Sequence, residues 1–238
     1  MEAPGGEKGA SPGDGSRSFV LLSDPHFFSN DIDPVDTIDE VESYRERLDC
    51  DGLVVAGDVG TADDLAYFED TEFDWIRAAE GNHDDWKHGI DGIEEDVSLA
   101  WEEPVDEGYY DIGLRHDPRD FGLSPVEDTA AGAVDRDVII YGHAHMPHDR
   151  VLDDGTLAIG AGSLAQNYST KDELPDRSIH EVEISGDEVF VRHYDFETEE
   201  LVEEACYDRD DDGFRLASRV WTWKGGNELE DRFYEESL

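Results

Sequence analysis

The chain has 238 residues, of which 63 are acidic and 18 basic, giving a formal net charge of −45 with a hydrophobic fraction of 37%. So acidic a composition is common in disordered chains, but compact apolar runs (Phe19-Val20-Leu21-Leu22, Leu53-Val54-Val55-Ala56, Val138-Ile139-Ile140-Tyr141) exclude disorder throughout. No run approaches the roughly 18 apolar residues of a membrane span, and no basic stripe offers the phosphate contacts on which nucleic-acid binding rests.

The acid is spread along the whole sequence, whereas charge that targets a basic partner is normally clustered. Only four of the basic residues are Lys. Spread charge suits very high salt, where the Debye length shrinks to about 3 Å at 1 M and self-repulsion is screened. In this respect the sequence resembles proteins of extreme halophiles that accumulate salt in the cytoplasm. Cys50 and Cys206 are far apart and lack ligand spacing, so they read as structural thiols or spectators. The N-terminus lacks the apolar core of a secretion signal, so a cytoplasmic, non-membrane protein is expected.

Residues 1–17 are Gly, Pro, Ser and charge and read as a disordered tail. Structure begins at Ser18, and the run Phe19–Leu22 is short enough for a buried strand. It ends at Ser23-Asp24-Pro25-His26, where Asp24 and His26 share one side of an extended backbone. Asp33 as cap and Pro34 at the first position predict a helix carrying Val35, Ile38, Val41 and Leu48 on its apolar side. A second strand, Leu53–Ala56, ends at Gly57-Asp58, and a second helix is expected over about Ala62 to Phe68. A third segment, Phe73–Ala79, leads into Gly81-Asn82-His83-Asp84. Strand, helix, strand, helix, strand predicts an α/β sheet containing parallel strands, which bind ligands beyond their carboxyl ends.

Further on, Tyr109–Leu114 reads as a strand running into Arg115-His116-Asp117-Pro118, and Val138–Tyr141 runs into Gly142-His143-Ala144-His145. Gly155–Ile159 leads to the small-residue turn Gly160-Ala161-Gly162-Ser163. His180–Ile184 and Glu188–Tyr194 alternate around Ser185-Gly186-Asp187 as a hairpin. Beyond about Cys206 lies a charged segment with Trp221, Trp223 and Phe233. The expected division is therefore a tail (1–17), a main domain (18–205) and a C-terminal extension of unassigned role (206–238).

His26, His83, His116, His143 and His145 all fall at or just after strand ends, joined by Asp24, Asp58 and Asn82. Mixed imidazole and carboxylate donors suit Mn, Fe, Ni or Zn, whereas Mg and Ca prefer all-oxygen sites. Seven donors, with His83 set aside, are too many for one tetrahedral zinc. Two divalent ions sharing one carboxylate would use them all, and such a pair clamps the attacking and leaving oxygens of an in-line displacement.

Asp24-Pro25-His26, Gly57-Asp58, Gly81-Asn82-His83-Asp84, the isolated His116 and Gly142-His143-Ala144-His145 resemble, in order, the five signature blocks of the calcineurin-like metallophosphoesterases. The resemblance runs from about Val20 to Ser163, with the following hairpin as closing strands. Its short spacings are similar to those of the compact bacterial and archaeal phosphodiesterases. It implies a four-layer αββα sandwich of two mixed β-sheets flanked by helices. It also implies that Asp24, His26 and His145 hold one ion, that Asn82, His116 and His143 hold the other, and that Asp58 bridges them. By the same resemblance a bridging hydroxide attacks phosphorus and His83 protonates the departing oxygen. Asp84 is then expected to orient His83, and Gly57 and Gly142 to let the backbone approach the metals. Two departures stand out: Asp117-Pro118 follows His116 where the family often has glycine, and the turn at 160–163 is not a close copy.

The reading is a hydrolase of phosphodiesters or small phosphomonoesters, with a phosphorylated small molecule or nucleotide as substrate and Mn as the first choice of metal, ahead of Fe, Ni or Zn. The alternatives are a nuclease acting on DNA or RNA, which the charge does not support, and a non-catalytic scaffold for partner proteins.

Overall fold

A computed structural model of the chain describes residues 17–27, 33–84, 97–100, 110–123, 136–165 and 177–222. The first strand, β1 (Arg17–Leu22), begins one residue inside the expected tail. Phe19 and Leu21 point into the core between two sheets, while Val20 and Leu22 point the other way, under the helices. Because both faces are covered, the strand reads as a continuous apolar run without alternation.

Helix α1 (Pro34–Leu48) starts as the sequence dictates. Asp33 accepts the Val35 N–H at 2.9 Å, Pro34 takes the first turn, and Asp49 closes the helix in the left-handed conformation. Of the expected apolar row, Val41 is buried and Ile38 and Leu48 are partly so, but Val35 is exposed. Tyr44 fills the buried face instead, and its hydroxyl donates to the Asp195 carbonyl at 2.8 Å. Strand β2 (Gly52–Val55), helix α2 (Ala62–Glu69) and strand β3 (Trp75–Ala78) follow, with Thr61 and Asp64 forming a reciprocal capping box at α2. β1, β2 and β3 are parallel, as the alternation predicts.

The second sheet is built from β4 (Val97–Ala100), β5 (Asp111–Leu114), β6 (Val138–Tyr141), β7 (His148–Val151) and β8 (Leu157–Gly160), in the order β4-β5-β6-β8-β7. Its centre is parallel and its edges β4 and β7 are antiparallel. Neither edge strand is evident in the sequence; β7 is the polar tetrapeptide His-Asp-Arg-Val. The hairpin β9 (Ser178–Ser185) and β10 (Glu188–Asp195) is continued by β11 (Leu201–Asp210) and β12 (Gly213–Trp221). The larger sheet runs β12-β11-β10-β9-β1-β2-β3.

The boundary expected after residue 205 therefore cuts through β11. As far as Thr222 the C-terminal segment completes the large sheet and is not an appendage. Trp223 and Phe233, like the tail up to residue 16, lie outside the described residues.

Two mixed sheets face each other across a core of Phe19, Leu21, Val54, Ile112, Ile140 and Ile159, among others. The helical layer packs Val41, Tyr44, Leu65 and Phe68 on the outer face of the large sheet. On the outer face of the small sheet, among the described residues, Ile139, Tyr141 and Ala158 are covered by Leu123, Leu152 and Phe121, the last from the 3-10 turn Pro118–Phe121. The α/β sandwich implied by the sequence is present, with few helices. No helix among the described residues is long and apolar enough to cross a membrane.

Candidate metal centre

The parallel strands β1 and β2 deliver Asp24, His26 and Asp58 to one end of the sandwich, and the ends of β5 and β6 deliver His116, His143 and His145. The backbone hydrogen bonds Asp24 N to Gly57 O and His26 N to Asp58 O, both 3.0 Å, zip the first two loops together. Gly142 N donates to His116 O at 3.0 Å and does the same for the second pair.

Asp24 (φ 51°), His26 (φ 50°), Asp58 (φ 55°), His143 (φ 65°) and His145 (φ 54°) all adopt the left-handed backbone conformation. That costs roughly 1–2 kcal/mol for a residue with a Cβ. Such strain gathers where the surrounding structure over-determines the backbone, chiefly at functional sites. Asp24 and His26 are expected on one side of an extended backbone; left-handed turns bring them together instead, as they do His143 and His145.

The side chains converge in two overlapping groups. Asp24, His26 and His145 bring donor atoms within 4.8 Å of one another, as do Asp24, Asp58 and His116. His26 Nε2 lies 3.2 Å from His145 Nε2, and His143 Nδ1 lies 3.3 Å from His116 Nε2. Asn82 Oδ1 is 3.2 Å from His116 Nε2. Asp58 Oδ2 stands between the groups, 3.3 Å from His116 Nε2 and 3.9 Å from His26 Nε2.

Whether these residues suit a metal is tested by Asp24. Its Oδ1 is buried without a hydrogen bond, yet the Nε2 atoms of His145, His26 and His116 stand 3.1, 3.7 and 4.0 Å away. A buried unpaired carboxylate oxygen costs several kcal/mol unless a cation meets it. Imidazole and carboxylate oxygen together are the donor set of a transition-metal ion. The residues fit.

Electrostatics agree. Burial pulls the His116 ring down, but the hydrogen bond to Asp58 and the charge of Asp24 outweigh it and lift the ring to about 9. The buried carboxylates thus draw a positive charge into the centre. His116 Nδ1 is 2.7 Å from the Ala56 carbonyl, which can only accept, so Nδ1 carries a proton whether or not the ring is charged, and Nε2 is the nitrogen that faces the centre. Burial lowers the His26 pKa, against the pull of Asp24 and Asp58.

The structure brings Asp24, His26, Asp58, Asn82, His116, His143 and His145 together at one end of the sandwich. His83 is exposed at the rim, its ring centroid 5.8 Å from that of His26, and its backbone N–H donates to Asp58 Oδ1 at 2.9 Å. Asp84 behaves differently from the expectation that it orients His83. Its carboxylate accepts the backbone N–H groups of Gly81, Gly60 and Asp58 at 2.6, 2.7 and 3.0 Å. Burial, offset by those donors, pushes it up to about 6. Asp84 therefore pins the 81–84 turn to the Asp58 loop.

A Cβ at Gly57 would sit 2.6 Å from the His116 ring, and one at Gly81 would sit 2.1 Å from Asp58 Oδ1. These glycines make room for ligand side chains. Sequence reasoning missed Ser23, which is fully buried against Asp24; a serine at a strand end carries no signal by itself.

The sequence model of the calcineurin-like phosphoesterase superfamily domain matches residues 18–174. The chain belongs to that superfamily. Membership makes it a metal-dependent phosphoesterase by family, with donor groups for divalent ions where the superfamily signature blocks fall. No curated protein matches it significantly in sequence. Among solved structures it is similar to the phosphoesterase YfcE from E. coli, at 15% identity and a TM-score of 0.53, covering 79% of this chain and 97% of that one. Vps29 from Chaetomium thermophilum gives 14% identity and a TM-score of 0.58, over 82% of this chain and 100% of the other. Vps29 from Entamoeba histolytica, solved with zinc, gives 18% and 0.50 over 86% and 98%. At these identities the structural likeness speaks to fold alone.

Proposed function

We propose that the protein hydrolyses phosphodiesters or small phosphomonoesters at a centre of two divalent transition-metal ions. The observation that carries this reading is the orphaned Asp24 Oδ1 facing three imidazole nitrogens, with Asp58 Oδ2 between the two donor groups. Asp24, His26 and His145 would hold one ion, Asn82, His116 and His143 the other, and Asp58 both. Bound there, the ions supply a hydroxide nucleophile at neutral pH and neutralise the phosphoryl charge. Manganese is the first choice, with iron, nickel or zinc also suited to the donors.

The chain's own residues do the rest. The left-handed turns at Asp24, Asp58 and His143 hold the donors in place before the substrate arrives. His83 stands at the open rim, where a ring N–H reaches the departing oxygen as the P–O bond breaks, so the alcohol leaves neutral. Expected from this role, His83→Ala keeps its metal content but loses about 100- to 10,000-fold in kcat on alkyl esters. The loss shrinks on p-nitrophenyl esters, whose leaving group needs no proton. Equal losses on both substrates would remove His83 from the acid's role.

The test of the whole reading is hydrolysis of bis-p-nitrophenyl phosphate and of a panel of cyclic nucleotides, oligonucleotides and phosphomonoesters, with Mn, Ni, Zn and Fe, in molar salt. Metal-replete protein that turns over none of them overturns it. The salt matters because 63 acidic residues repel one another unless screened. Circular dichroism is expected to show loss of structure on transfer from molar salt to salt-free buffer. An unchanged spectrum would mean that the charge is not a salt adaptation.

A further inference from the structure

We infer that Ser23 is a positioning residue for the metal centre, its hydroxyl fixing which oxygen of Asp24 faces the donor nitrogens. The inference rests on the two-ion reading above. Asp24 is fully buried, and its two oxygens have opposite surroundings. Oδ2 accepts the Ser23 hydroxyl and, at 3.0 Å, the backbone N–H of His143. Oδ1 accepts nothing and faces His145, His26 and His116.

A serine hydroxyl has one proton, and Ser23 Oγ has a second acceptor within reach, the Ala56 carbonyl at 2.9 Å. That carbonyl already receives the Nδ1 proton of His116. A carboxylate is the stronger acceptor because its hydrogen bonds are charge-assisted. The Ser23 proton therefore goes to Asp24 Oδ2. With two donors on one oxygen, the carboxylate cannot turn its other oxygen away from the centre.

Gly142 belongs to the same device. A Cβ built there would lie 1.9 Å from Ser23 Oγ, 2.5 Å from Ala56 O and 2.9 Å from Asp24 Oδ2. Any side chain at 142 must displace the hydroxyl. Its φ is not in the left-handed region, so the requirement is space around Ser23 and not backbone freedom.

The test is calorimetric titration of metal-stripped protein with Mn(II) in molar salt, for the wild type, Ser23→Ala and Gly142→Ala, with thermal melts of each apo protein. Wild type is expected to take up two ions. Ser23→Ala removes one buried atom and is expected to weaken one of the two by about 10- to 100-fold, the usual effect of losing a partner behind a ligand, leaving the other within a few-fold. Gly142→Ala, which presses a methyl group onto an intact Ser23 and onto the Ala56 carbonyl behind His116, should weaken that ion at least as much. Fewer than two ions in the wild type would sink the two-ion reading itself. Two ions in the wild type and unchanged affinities in both variants would overturn this inference alone. Equal weakening of both ions by Ser23→Ala, or failure of both variants to fold, would make Ser23 structural and overturn it as well.

Discussion

Replacing Asp58 with Asn is expected to lower kcat/KM for bis-p-nitrophenyl phosphate by about 100- to 1000-fold or more, the scale for losing one preorganised electrostatic partner of a transition state. The substitution is nearly isosteric, and Asn tolerates the left-handed backbone that Asp58 adopts (φ 55°). Its amide oxygen can still accept the His83 N–H that now reaches Oδ1 at 2.9 Å. What changes is the other atom. Oδ2, between His116 and His26, becomes neutral, or becomes an NH2 group that no cation tolerates. Metal content measured by emission spectroscopy should fall with the activity, while the melt of the apo protein stays close to wild type. Retained activity at full metal content would show that Asp58 does not bridge the centre.

Acid should destabilise the fold through two histidines that lie outside the centre. His180 on β9 and His193 on β10 are a directly opposed cross-strand pair, 2% and 3% exposed, with ring centroids 5.1 Å apart and planes 21° from parallel. Burial, aided by the charge of His148, pushes His180 down to about 3. Burial and then His180 hold His193 well below its ordinary value.

Both rings are neutral in the native state, but unfolded they titrate near 6.5. Folded pKa values below the unfolded ones mean that the unfolded chain binds the extra protons. Stability is therefore unaffected above pH 7 and falls as pH drops below 6.5. At pH 5 the loss from His180 is about 2 kcal/mol, and His193 adds to it in the same direction. Glu203, paired with His193 across β10 and β11, works the other way. Burial and Asp149, against Arg219, raise it to about 7, so it gains stability on protonation over part of the same range.

The pair is therefore isolated by comparison. A His180→Leu, His193→Leu double variant should lose markedly less stability than wild type between pH 7 and pH 5, in denaturant titrations at constant salt. Parallel pH profiles would mean that the histidines are not held neutral.

Much of the centre could be read from the sequence because its chemistry is local. Asp24-Pro25-His26, Asn82-His83 and His143-Ala144-His145 each place ligand types at a strand end, and a parallel sheet needs only its strand order to bring such ends together. The first strand, both helices and the β9–β10 hairpin were readable for the same reason: caps, turns and apolar spacing act within a few residues. The edge strands were not. β4 (Val-Ser-Leu-Ala) and β7 (His-Asp-Arg-Val) have four residues each, too few to show an alternation, and β7 is mostly polar. The second half of β11 and all of β12 were hidden in a stretch (206–238) whose charge suggests an appendage, although Cys206, Tyr207 and Phe214 from it are buried.

The sequence alone determined the family, the parallel α/β core and which donor-type residues fall at the strand ends, since residue type and spacing are local properties of the chain. Tertiary structure decided how each donor is held. The left-handed turns, the Asp84 carboxylate bound to the Gly60 and Asp58 N–H groups and the space that Gly142 leaves for Ser23 all depend on chain segments 24 to 119 residues apart. A hydrogen bond or a van der Waals gap depends on distances of a few tenths of an ångström. Those distances exist only once the two sheets have packed.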